Sequence, residues 1–194
     1  EPGRHVHVHN VEMHDFARDY AFGADAQFAG LHDDEGVHRG GVFEQHDQLF
    51  GRAARHYGFL TRRDAQYVDW RYLRPPNVDY VVVELRKWGA LTGWIVLRLR
   101  DGRLTIGDLL IDPDHAEMLE LALRHLTHVV RAAAIEMWCS ARPDWIDRLL
   151  RELSFESVPE PQDLSVMCVP FAMPDAVERM RGQLYYTMGD SDLF

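Results

Sequence analysis

Long apolar runs, basic clusters and cysteine are what this 194-residue chain has least of. No stretch approaches the ~18 continuous apolar residues that read as a membrane-spanning helix, and the first residues lack the charged-then-apolar pattern of a secretory signal. A membrane is therefore not an expected partner. The 2 cysteines, Cys139 and Cys168, both lie in apolar strand-like segments and are too few for a disulfide framework. A reducing, cytoplasmic setting is the simplest reading. The 21 Lys and Arg residues stand against 31 Asp and Glu, a net charge of -10 with no basic cluster in it, so nucleic acid is not an expected partner either. There is no initiator Met before Glu1, as expected of a processed protein or a piece of a longer one. The length suits one domain of ordinary size with a proper core, and neither an internal repeat nor a low-complexity tract is visible.

What is present has two textures. The first sixty residues hold most of the histidines and many glycines. Residues 6–11 read as a strand, 13–28 as loosely helical, and 30–41 (GLHDDEGVHRGG) as a polar, glycine-rich loop. Residues 1–60 are thus read as a His/Gly-rich lead-in that packs on a main domain of residues 61–194. From Phe43 the pattern firms: Phe43, Phe50, Ala53, Ala54 and Tyr57 share a helical face, and Gly58 ends that helix. Thr61 followed by Asp64 resembles a capping box, opening a helix that carries Tyr67, Val68, Trp70, Arg71 and Tyr72 until Pro75-Pro76 stops it.

Three strands follow in succession, at 80–85, 91–99 and 104–111, with Asp101-Gly102 as a hairpin turn and Gly89 marking the turn before it. Asp112-Pro113-Asp114 opens a helix with Asp as N-cap and Pro at its first position. Its apolar face is Leu119, Ala122, Leu126, Val129, Val130 and Ala133. A strand at 135–139, a helix at 144–153, a strand beginning at 155–158, a strand at 164–169, a helix at 175–181 and a last strand at 184–188 complete the order. The expected fold class is α+β, α/β-like in its second half.

Histidines 5, 7 and 9, with His14 nearby, alternate along the first strand. Residues two apart on a strand share a face at about 6.5 to 7 Å, so neighbours can share a Zn²⁺, Ni²⁺ or Cu²⁺ ion. His32, His38 and His46 add imidazoles to the same region. An exposed strand face explains the run equally well, because no downstream Cys or Glu-x-x-His motif supplies the remaining ligands. No residue is therefore assigned as a metal ligand. Cys139, after Met137-Trp138, reads as a buried thiol at the end of a core strand.

Trp70, Arg71 and Tyr72 offer a substrate pocket an apolar wall and a guanidinium fork for a carboxylate or phosphate. The alternative is that the two rings pack the helix on the sheet while Arg71 meets an acidic partner. Asp190 and Asp192, in a Gly-Asp-Ser-Asp stretch, are candidates for holding an ammonium substrate or a cation. An ordinary turn, with Asp and Ser bonding their own backbone, uses the same residue types.

Arg63-Asp64 leading to Trp70-Arg71-Tyr72, the following Pro76 and Tyr80, the strand ending in Gly107-Asp108-Leu109-Leu110, and the closing 187–192 (TMGDSD) resemble bacterial proteins of the GNAT acyltransferase superfamily. Three antiparallel strands, then helix, strand, helix and two more strands, is that superfamily's order. The resemblance implies a GNAT-like, mixed and mostly antiparallel central sheet flanked by helices. More narrowly, the chain resembles the degenerate second half of double acyltransferases, whose first half carries the CoA loop.

In that superfamily the pantetheine arm of acetyl-CoA or another acyl-CoA pairs with exposed backbone, here Leu109, Leu110 and Ile111. The pyrophosphate sits on the N-terminus of the next helix, where free N–H groups and the helix dipole favour anions. An Arg or Gln with two glycines is usual there. This chain has Asp112, Pro113, Asp114, His115, Ala116 and Glu117 instead. Pro113 removes a donor, and a like-charge pair near 4 Å costs on the order of 1 to 4 kcal/mol. The Tyr general acid found in many members after the strand at 135–139 has no counterpart in 144–153.

Asp108 and Glu84 are the candidate general bases, since a carboxylate in a partly dry cleft can accept an amine proton near neutrality. The alternatives are an Asp108 paired with Arg71 or another Arg, and a Glu84 at a solvated strand position. Three functions follow: an acyl-CoA-dependent N-acyltransferase acting on a small amine or amino sugar; a catalytically silent GNAT-like domain supporting an N-terminal catalytic half, pairing as a homodimer, or serving as an interaction module; and a His-rich metal-binding protein.

Overall fold

The computed structural model describes residues 7–12, 26–31, 39–76, 78, 80–130, 132–159, 176–191 and 194. In chain order the elements are β1 (His7–Glu12), β2 (Ala26–Leu31), α1 (Arg39–Ala53), α2 (Ala65–Val68), β3 (Val81–Lys87), β4 (Ala90–Arg100), β5 (Arg103–Ile111), α3 (Ala116–Val129), β6 (Ala134–Cys139), α4 (Asp144–Glu152), β7 (Glu156–Pro159) and α5 (Ala176–Gln183). Seven strands form one sheet in the order β2-β3-β4-β5-β6-β1-β7. Every pairing is antiparallel except β5 with β6. The α+β class and the mixed, mostly antiparallel sheet flanked by helices are as the sequence implied.

The centre of the sheet follows from local chemistry. Two-residue turns join β3 to β4 and β4 to β5, with positive φ at Trp88 and Gly89 and at Asp101 and Gly102, the hairpin geometry that suits twisted strands. Residues 91–97 of β4 are buried without interruption, so β4 reads as a continuous apolar run, as a strand covered on both faces does. Leu49, Ala53 and Tyr57 pack on this sheet from α1 and the turn after it, and Met118, Leu119, Ala122, Leu123 and Leu126 from α3. Asp112 caps the turn at Pro113 that leads into α3, its side chain accepting from the Asp114 N–H.

Two strands of the lead-in join the sheet: β2 extends one edge beside β3, and β1 lies between β6 and β7. Three expectations change. The expected loop at 30–41 is in part structured, since Gly30 and Leu31 end β2 and α1 begins at Arg39. The capping residue of α2 is Asp64, which accepts from the Tyr67 N–H at 3.0 Å, in place of Thr61. The last expected strand is reduced to single bridges, Leu184 to Phe59 and Thr187 to Cys139, with a 3₁₀ turn at Met188–Asp190. Of the loosely helical stretch expected over 13–28, residues 26–28 belong to β2, and the remainder, like the strand expected at 164–169 with Cys168, lies outside the described residues.

Gly107 marks where β5 bulges. Val96 pairs with Asp108 and Leu97 with Ile106, which leaves Gly107 without a partner on β4. A Cβ there would lie 2.0 Å from the Phe194 ring, which packs against Tyr72 and Tyr80 at centroid distances of 6.3 and 4.9 Å. Gly107→Ala is expected to expel that ring and to cost about 1–3 kcal/mol, as overpacking of a close-packed core does. A lower urea midpoint at unchanged slope is the readout.

Candidate functional site

Strands β5 and β6 run together only from Arg103 to Ile106, opposite Ala134 to Met137. Beyond Gly107 they part, and the gap is where the family resemblance places pantetheine. Tyr57, at the end of the α1 segment, reaches the far end of the gap. Its hydroxyl donates to the Ile111 carbonyl at 2.8 Å and accepts from the Ile111 N–H at 2.9 Å. The Tyr185 hydroxyl donates to the Leu109 carbonyl at 3.0 Å. The Leu109 N–H donates to the Asp108 carboxylate at 2.9 Å.

All four backbone groups that Leu109 and Ile111 turn toward the gap therefore have partners in the chain itself. Leu110 pairs with Trp94 on the other side. Tyr57 and Tyr185 are 1% exposed and meet edge to face at 4.8 Å, an arrangement that rings favour. Residues 184–191 fill the rest of the gap, with the Ser140 N–H donating to the Tyr186 carbonyl at 2.8 Å and the Tyr186 N–H donating to the Ser140 hydroxyl at 3.0 Å. The expected cofactor-binding edge, Leu109 to Ile111, is closed.

The start of the next helix is equally occupied. The Asp112 N–H donates to the Thr92 carbonyl, and the His115 N–H to the Asp112 carbonyl, each at 2.8 Å. The Asp112 carboxylate, mostly buried, accepts from the Arg52 Nε at 3.2 Å, and Glu117 accepts from Lys87 at 2.7 Å. A phosphate here would meet paired carboxylates rather than free N–H groups.

Behind the gap lies a buried polar network. Asp108 is 0% exposed. Its Oδ1 accepts from Arg63 Nε at 2.9 Å, Thr187 Oγ1 at 2.8 Å and the Leu109 N–H; its Oδ2 accepts from the Tyr72 hydroxyl at 2.6 Å and the Tyr67 hydroxyl at 3.0 Å. A carboxylate offers about four acceptor sites, so five donors saturate it. Of the two expectations for Asp108, the geometry supplies the carboxylate paired with an arginine. Its arginine is Arg63, also 0% exposed, which donates in addition to Asp190 at 2.5 Å and to the Thr187 hydroxyl at 3.1 Å. Burial alone would lower the Arg63 guanidinium, but Asp108 and Asp190 hold its pKa well above the ordinary value. Burial, together with the Asp108 charge, pushes the Tyr67 and Tyr72 phenols far up; Tyr57 and Tyr185 are raised chiefly by burial.

The other candidates divide. Arg71 offers no fork to a substrate, because it clamps the backbone carbonyls of Gly189 at 3.2 Å and Ser191 at 2.6 Å. Tyr72 is buried on Asp108, and Asp190 is held by Arg63 and the Thr187 N–H. Asp192 lies outside the described residues. Glu84, expected at a solvated position, is instead 2% exposed. Two nitrogens of Arg86 hold it at 2.8 and 2.6 Å, and His46 Nε2 is 3.7 Å away. Trp70 alone faces solvent, 66% exposed, on a groove of about 350 Å³.

His7 and His9 belong to β1, and His5 lies outside the described residues. Among the described residues there is no group of three or more His, Cys, Asp or Glu able to hold a metal ion, and no helix is long and apolar enough to cross a membrane. Cys139 is a buried thiol whose pKa burial pushes up to about 12, far from a nucleophile's range.

Sequence reasoning missed Tyr57, Thr187 and Tyr185 as the residues that close the gap. Tyr57 carried a signal: it ends an apolar helical face yet has a polar tip, and a buried hydroxyl needs a partner. Arg63, flanked by Arg62 and Asp64, carried none that separates an inward from an outward arginine.

No protein-family model matches the sequence, and no curated protein sequence matches it. Among solved structures, the chain is similar to a GCN5-related N-acetyltransferase from Kribbella flavida, at 18% identity and a TM-score of 0.46, over 79% of this chain and 55% of that one. It is also similar to the ribosomal-protein-S18-alanine N-acetyltransferase from Escherichia coli, at 13% identity and a TM-score of 0.46, over 69% of this chain and 79% of that one. The chain thus spans little more than half the length of the first.

Proposed function

We propose that this chain is a catalytically silent GNAT-like domain, a folded support for a catalytic half or an interaction module, rather than an N-acyltransferase in its own right. The closed edge of β5 carries this reading. A pantetheine arm would have to displace the Tyr57 and Tyr185 hydroxyls from Ile111 and Leu109, leaving two buried phenols to find new partners at about 1–3 kcal/mol each. The residues present do not fit acyl-CoA at this edge, and the acidic start of α3 does not fit its pyrophosphate. The saturated Asp108 offers no base for an acceptor amine.

The partner implied is a half with its own CoA loop, on the same polypeptide or another, or a second copy of this chain. A cytoplasmic setting goes with the same reading, since Cys139 is a free thiol, and the motifs in the sequence resemble those of bacterial proteins. Calorimetric titration of acetyl-CoA into the full chain, treated with a chelator, tests it. No heat up to about 1 mM ligand is expected, which bounds any binding free energy near -4 kcal/mol. Micromolar binding would overturn the proposal and restore the acyltransferase reading.

A further inference from the structure

The helix that begins at α2 does not keep α-helical winding. From Asp69 to Leu73 it has π-helical winding, which is rare, confined to short pieces and frequent at functional sites. Arg71 and Tyr72 turn inward to the 189–191 carbonyls and to Asp108, while Trp70 is left 66% exposed. A tryptophan so exposed, on a distorted turn and at the wall of a groove, unites three features that core packing does not require.

The groove has defined chemistry. The Tyr67 ring stands beside Trp70, centroids 6.5 Å apart and planes inclined at 55°. Its hydroxyl is anchored inward on Asp108, so the ring is fixed. Arg62 pairs with Asp64, and Arg74 with Asp69 at 2.5 Å. The carboxylates lie low, at 7% and 15% exposure, and the guanidiniums stand high, at 77% and 72%. The two guanidinium–carboxylate pairs cancel in net charge, and what stands at the rim is an aromatic face ringed by planar donors.

We propose that this groove binds a neutral saccharide. The apolar C–H face of a pyranose lies on Trp70, and its hydroxyls accept from the exposed guanidiniums of Arg62 and Arg74, which present donors side by side. A volume of about 350 Å³ falls in the range of small-molecule sites and suits one or two sugar rings. The site is separate from the closed gap and does not depend on the function proposed above.

Titration of the full chain with maltose, cellobiose and N,N′-diacetylchitobiose, followed by tryptophan fluorescence and calorimetry, tests the proposal, with AMP and choline as charged comparators. A saturable response to at least one disaccharide is expected, with a dissociation constant of about 1 mM or below. Trp70→Ala, at an exposed position, is expected to keep the unfolding midpoint and to weaken binding at least about tenfold, as loss of a central aromatic contact does. Trp88→Ala, on the β3–β4 turn and 73% exposed, is expected to bind as the parent does. The proposal is overturned if no disaccharide saturates the signal, if Trp70→Ala binds equally well, or if AMP or choline binds more tightly than every sugar.

Discussion

Arg63→Met is expected to be the most damaging single substitution in the described part of the chain. Methionine keeps most of the side-chain volume but leaves Asp108, 0% exposed, and Asp190 without their cation. Removing one partner of a buried ion pair costs about 3–5 kcal/mol, because the remaining charge stays desolvated. Whole domains are stable by only about 5–15 kcal/mol. A fall in the urea midpoint of roughly 1–2 M follows from the usual slopes. The double variant Arg63→Met, Asp108→Asn removes the stranded Asp108 charge and is expected to be more stable than Arg63→Met alone. A midpoint that hardly moves in Arg63→Met would mean that the network does not hold residues 184–191 in the gap.

Alkaline unfolding is the second large effect expected. Tyr57, Tyr67, Tyr72 and Tyr185 all have folded-state pKa values raised above the ordinary 10.0, with burial the leading cause for each. Below pH 10 these phenols are protonated in both states and their contribution is fully present. Above it the unfolded chain releases protons that the folded chain retains, so stability falls as pH rises toward the folded values. Each such group costs about 1.4 kcal/mol per pH unit, and four together on the order of 5 kcal/mol. Cys139, pushed up to about 12 from 9.0, starts the trend one unit earlier. Phenolate absorbance and circular dichroism are expected to change together in one steep step above pH 10. Gradual ionisation in a chain that keeps its circular dichroism would contradict the buried tyrosine network.

The central sheet was legible because its signals are local. Asp101-Gly102 fixes the β4–β5 turn, Asp112-Pro113 fixes the start of the turn into α3, and the apolar face of α3 repeats at helical spacing. Each of these depends on residues within one or two turns of chain. The site was less legible because its partners lie far apart in sequence. Asp108 reads as a base near a cleft until Arg63, Tyr67, Tyr72 and Thr187 are brought to it from 45, 41, 36 and 79 residues away. Trp70, Arg71 and Tyr72 read as one pocket motif, yet π-helical winding sends one residue out and two in.

By itself, the sequence determined the class of fold, the order of β3 to β7 and the acidic start of α3. Composition, turn residues and short-range periodicity are enough for those. Tertiary structure alone decided that β1 would lie between β6 and β7, that Glu84 would be buried with Arg86, and that Tyr57 and Tyr185 would occupy the β5 edge. A buried hydroxyl or carboxylate is satisfied by whichever group the fold delivers within about 3 Å, and no spacing along the chain encodes that meeting.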